Sequence, residues 1–64
     1  MQLIKIAWHT GYKAYITGYR ECPHWITTGL RSNAFRFFGQ SAKPIARIIR
    51  EEIRGIANVN VEEA

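Results

Sequence analysis

Apolar residues recur along the chain at intervals that suit a helix. In the first segment Ile4, Trp8, Tyr12 (or Gly11) and Tyr15 follow one another at three- and four-residue steps. That spacing predicts an amphipathic helix from Gln2 to Gly18. A second stripe of small residues, Ala7, Gly11, Ala14 and Gly18, falls along one side of the same helix. Glycine costs about 1 kcal/mol relative to alanine inside a helix, so two on one stripe point to close packing there, by another helix or by a ligand backbone. A rival drawing is a strand over Leu3 to Trp8, because Ile4 and Ile6 alternate about Lys5.

Gly18 to Ile26 reads as a loop, since Gly18 can end a helix and Pro23 biases Cys22 away from helical geometry. Thr27 or Thr28 then caps a second helix over Gly29 to Phe38, with Leu30, Ala34, Phe37 and Phe38 on its buried side. Gly39 loosens or ends it. Ser41 is the N-cap candidate of a third helix, Pro44 to Ala57, with Pro44 in the first turn where its missing N–H does little harm. Ile45, Ile48, Ile49, Ile53 and Ile56 form its apolar face, and Arg47, Arg50, Glu51 and Arg54 lie off it. One kinked helix over 29–57 fits equally well. Asn58 is the C-cap candidate, and Val59 to Ala64 reads as a frayed acidic tail. The expected fold is therefore all-α: a single helical domain over residues 1–58, with two or three helices, a Cys-Pro loop between the first and second, and a short tail over 59–64.

Composition narrows the class. The chain has 64 residues, one domain at most, and a domain this small buries only about 60% of the surface its unfolded chain exposes. Hydrophobic residues make up 47%, enough for a core and too many for a disordered chain. No apolar run approaches the roughly 20 residues of a membrane span, and the N-terminus does not read as a signal peptide. The single cysteine, Cys22, cannot form an internal disulfide, which suits a reducing cytoplasm. Charge is uneven. Residues 1–50 carry Lys5, Lys13, Arg20, Arg31, Arg36, Lys43, Arg47 and Arg50 against Glu21 alone, whereas residues 51–64 set Arg54 against Glu51, Glu52, Glu62 and Glu63. The body is thus more basic than the formal +4, and a basic surface attracts polyanions.

Catalysis is not expected. Cys22-Pro23-His24, with His9 upstream, offers three candidate metal ligands, but structural zinc takes four, usually from paired CxxC or HxxxH units. Neither a metal nor any other cofactor is implied. His24 is too close to Cys22, across a stiffening proline, to serve as base to a thiol nucleophile, and no P-loop, GxSxG or HExxH motif is present. The stronger constellation mixes cations with rings: Lys5, His9, Tyr12, Lys13, Tyr19, Arg20, His24 and Trp25, followed by Arg31 and Arg36. Cations neutralise phosphates and planar side chains stack on unpaired bases. Trp8, Tyr12 and Tyr15 can equally be core residues.

Taken together, Gly11-Tyr12-Lys13-Ala14, Gly18, Cys22-Pro23-His24 and Arg31-Ser32 resemble the pattern of the ribosome modulation factor family over about Ala7 to Gly39. The matching positions are Gly11, Tyr12, Ala14, Gly18, Cys22, Pro23, His24 and Arg31. The resemblance implies two helices joined by the Cys-Pro loop. It also implies binding to the small ribosomal subunit near the 3′ end of its RNA, blocked translation initiation and ribosome pairing. The family's Trp after the Arg is absent. Ala34 and Phe35 occupy that region, and Phe38 stands where a Trp is expected. The isoleucine-faced helix 44–57 has no counterpart in the family.

The sequence thus predicts a small cytoplasmic, ribosome-associated RNA-binding protein that represses translation. Its expected RNA contacts are Lys5, His9, Tyr12, Lys13, Arg20, His24, Trp25, Arg31 and Arg36. The alternative is a protein-binding inhibitor or adaptor, such as a phage encodes. It would use Ile45, Ile48, Ile49, Ile53 and Ile56 of helix 44–57 to hold a partner or a second copy. A DNA-binding helix-turn-helix fits less well, because Glu51 and Glu52 would face duplex phosphates.

Overall fold

The computed structural model describes residues 1–19 and 25–64, and the side chains of all of these except 19, 25, 26 and 28. It shows a four-stranded antiparallel sheet with one helix on one face. Strands β1 (Gln2–Trp8), β2 (Lys13–Tyr19) and β3 (Trp25–Thr28) form a meander. A 3-10 turn over Arg31–Asn33 and an extended stretch lead to helix α1 (Ala42–Glu52), which returns the chain to β4 (Ala57–Glu63). The strand order is β3-β2-β1-β4.

Period-two alternation explains the sheet. Ile4, Ile6 and Trp8 of β1 share a face with their cross-strand partners Val61, Val59 and Ala57 of β4 and with Ala14 and Ile16 of β2. Ile4, Ile6, Ile16, Val59 and Ala57 join Phe37, then Ala42, Ala46 and Ile49 of α1 and Ile53 just past its end, in the core, with Trp8, Ile45 and Val61 partly buried against it. β-branched residues dominate this layer, as a pleated, half-buried surface favours. The β1–β2 turn is tight: the amide of Gly11 donates to the Trp8 carbonyl at 2.9 Å and that of Trp8 to the Tyr12 carbonyl at 2.8 Å. Gly11 adopts φ +96°, left-handed backbone that glycine enters without steric cost.

The all-α expectation is therefore wrong, and the helix predicted over 2–18 is a β-hairpin. Its three- and four-residue spacing came from sampling both faces of two strands. Ala7 and Ala14 of the supposed small-residue stripe lie on opposite faces of the sheet, and Gly11 belongs to the turn. The rival strand over Leu3–Trp8 is the one observed. No Cys-Pro loop joins two helices, because the segments on either side are β2 and β3; residues 20–24 themselves lie outside the described residues. Thr27 and Thr28 belong to β3, with no helix starting directly after them.

Of the helix predicted over 29–38 only the 3-10 turn exists, so 29–57 is neither one kinked helix nor two. Ala34 and Phe37 are buried as expected, but Leu30 and Phe38 are exposed. Phe37 instead bridges Gln2 of β1 through reciprocal backbone hydrogen bonds of 3.0 and 2.8 Å.

The third helix is real but spans Ala42–Glu52, not 44–57. Ser41 precedes it, yet its hydroxyl donates to the Phe38 carbonyl at 2.7 Å and caps no helical amide. Gly55, at φ +87°, turns the chain toward β4. Asn58 is no C-cap, and the residues read as a frayed tail form most of β4. There Ala57-Asn58-Val59-Asn60-Val61 alternates in and out, paired with β1 over its full length.

Candidate nucleic-acid interface

The sheet face opposite α1 carries Lys5 between Leu3 and Ala7 on β1, Lys13, Tyr15 and Thr17 on β2, and Asn58, Asn60 and Glu62 on β4. Lys5 lies between Tyr15 of β2 and Asn60 of β4, and Tyr15 pairs in turn with Thr28 of β3. One row thus crosses all four strands: Thr28, Tyr15, Lys5, Asn60. The next row is Lys13, Ala7 and Asn58. Directly opposed residues on one face sit about 5 Å apart, and Lys13 follows Tyr15 at about 7 Å along the strand. Tyr15 is half-buried, Lys13, Asn58 and Asn60 are exposed, and Lys5 keeps 24% of its side chain exposed.

The other end of this face is partly closed. Thr17 donates its hydroxyl to the Asn33 carbonyl at 2.7 Å, which draws the 3-10 turn toward β2. Leu3 is buried at this end. Arg31 leaves the turn and donates to the Glu63 carbonyl at 2.7 Å, and its Nε lies 3.9 Å from Glu62. Glu62 also takes Lys5, at 3.5 Å. One carboxylate thus sits between two cations. Both pairs are partly exposed, so each adds under about 1 kcal/mol to stability and is open to exchange with another anion.

The predicted contacts divide as follows. Lys5, Lys13 and Arg31 share this face or its rim. His9 and Tyr12 occupy the exposed β1–β2 turn, with Tyr12 60% exposed, beside the end of β2 where Lys13 lies. Arg36 is exposed in the stretch before α1, next to Phe37, which pairs with Gln2 of β1. Trp25 opposes Tyr19 at the start of β3. Arg20 and His24 lie outside the described residues, as does Cys22. Trp8, read as a possible core residue, packs against the core. No family model, curated protein or solved structure matches the chain.

Sequence reasoning missed Tyr15, Asn58 and Asn60. The alternation in 57–61 was the available signal. Once that segment is a strand, its asparagines must share a face with Lys5. The isoleucine set proposed for a protein partner is not one exposed face. Ile49 and Ile53 are buried and Ile45 partly so, leaving Ile48 and Ile56 at the surface. Among the described residues no group of three His, Cys, Asp or Glu side chains could hold a metal, and no helix is long and apolar enough to cross a membrane.

Proposed function

We propose that the protein binds unpaired RNA on the open face of its sheet. The carrying observation is the row Tyr15–Lys5–Asn60 with Lys13 beside it: a ring for a base, cations for phosphates, and amides for base edges or the ribose 2′-hydroxyl. Lys13 makes no ion pair with any described residue, so its charge is available. A sheet face suits splayed single strands, because successive bases can lie flat on side chains that stand up from the strands. Duplex recognition would call for a helix or ribbon shaped to the major groove. Helix α1 packs its inner side against the sheet and carries Glu51 and Glu52 on its exposed side.

The ribosome modulation factor resemblance does not carry this proposal, since strands β1 to β3 and a 3-10 turn stand where it implies two helices. Fluorescence anisotropy with a labelled single-stranded RNA tests it. Association should weaken with salt at a slope of about −0.7 per phosphate neutralised, and Lys13→Glu should make that slope shallower. Tyr15→Ala should lower affinity about 5- to 150-fold, the worth of one stacked base. Binding that is indifferent to both variants would refute it.

A further inference from the structure

The exposed side of α1 carries a second surface, across the sheet from the RNA platform. Ser41, Pro44, Ile45 and Ile48 lie three and four residues apart and form one stripe along its first turns. Two adjoining concavities follow the stripe. One, of about 400 Å³, is lined by Lys43, Pro44, Arg47 and Ile48. The other, of about 290 Å³, is lined by Ser41 and Ile45 together with Phe35 and Phe37, whose rings meet edge to face at 4.8 Å. Phe35 remains 50% exposed and Ile48 40%, so apolar area stays in water that the fold leaves uncovered. Lys43 and Arg47 stand one turn apart beside it, and neither makes an ion pair with a described residue. The acids of α1, Glu51 and Glu52, are at the far end of the helix, and Glu51 is already paired with Arg54.

We propose that this groove docks an acidic amphipathic segment of another protein, with two bulky apolar side chains entering the concavities and carboxylates meeting Lys43 and Arg47. Charge selects this occupant. A second copy would bring its own Lys43 and Arg47 against these, and the acids it has to offer at its C-terminal end, Glu62 and Glu63, are engaged by Lys5, Arg31 and Gln2. A lipid surface would meet the exposed Phe35 and Ile48 alone, whereas the buried Phe37 and half-buried Ile45 line a hollow that a bulky side chain fills. Unpaired RNA needs a ring face laid open for stacking, whereas Phe35 and Phe37 meet edge to face and Phe37 is buried.

Panning a library of random peptides of about 16 residues, long enough for four helical turns, against the full chain tests this. Enriched peptides should carry Asp or Glu around apolar residues three or four apart. The leading peptide should lose about tenfold or more in affinity for Ile48→Asp and for Lys43→Glu/Arg47→Glu. All three positions are exposed, and circular dichroism checks that the variants fold. Ile48→Asp should leave RNA binding intact, so failure here and failure of the RNA reading are separable. No enrichment, enrichment of peptides without acids, or binding that survives both variants would overturn the proposal. Tighter binding to phosphatidylglycerol vesicles than to the leading peptide, lost in Ile48→Asp, would overturn it in favour of a lipid surface.

Discussion

Ile48 and Ile49 are identical neighbours on one helix, and the fold assigns them opposite fates. Ile49 is 0% exposed and packed in the core, whereas Ile48 is 40% exposed. Truncating a buried isoleucine to alanine removes its transfer free energy and leaves a cavity, which costs about 2–5 kcal/mol. The core around Ile49 cannot close over the gap easily. Its helical neighbours Ala42 and Ala46 are themselves small, and the sheet below is held by ladders on both sides of β1. A loss of about 3 kcal/mol is therefore expected. A 64-residue chain has a total stability of about 3–10 kcal/mol, so Ile49→Ala removes a large part of it and lowers Tm by roughly 12–24 °C. At Ile48 the lost burial is partial and alanine is the better helix former, so Ile48→Ala should change stability by under about 1 kcal/mol. Thermal and urea unfolding followed by far-ultraviolet circular dichroism reads both. If Ile49→Ala does not fold, Ile49→Val should still cost about 0.5–1.5 kcal/mol. Equal costs at the two positions would refute the packing of α1, because an all-helical core built on the whole isoleucine face predicts just that equality.

Three further outcomes follow from the same geometry. Gly11→Ala and Gly55→Ala force a Cβ into backbone at φ +96° and +87°, so each should lower stability by about 1–2 kcal/mol in urea titrations. Glu62→Gln releases Lys5 and Arg31 from their shared carboxylate; RNA affinity measured by anisotropy should rise, and an unchanged or weaker affinity would place RNA elsewhere. Arg50→Ala should promote concentration-dependent self-association, measured by sedimentation velocity. The amide of His9 bonds Ile56 and that of Ala64 bonds Met1, so the even residues of β4 face β1 and Val59 points to the free edge. Arg50 covers the Val59 carbonyl there at 2.8 Å, as Arg31 covers that of Glu63 near the strand's end, side-chain guards on an edge strand.

How far the chain discloses its fold depends on which period dominates each stretch. Within α1 the Ile45–Ile48–Ile49–Ile53 pattern has no competing alternation, and that helix was legible to within its ends. In the first segment the two periods coexist. Ile4 and Trp8 are four apart, and they are also two steps of two, so a strand and a helix share the same residues. Ile6 decides between them, because on a helix it would lie well away from Ile4 and on a strand it joins it. β4 was hidden by its two glutamates, which suggested a tail. The short Asn-Val-Asn-Val alternation carries the strand, and its pairing with β1 is a contact that no local pattern announces. The cations of the candidate site were legible individually, but their shared face was not. That face follows from register: Lys5 meets Tyr15 and Asn60 only because β1 lies between β2 and β4.

The most direct test of the open-face assignment is a heteronuclear NMR titration of the protein with a mixed-sequence single-stranded RNA at low salt. The account predicts the largest amide and side-chain shifts at Lys5, Lys13, Tyr15 and the Asn58 and Asn60 side-chain amides, with α1 little affected. Shifts confined to α1, or none at RNA concentrations well into the millimolar range, would contradict it.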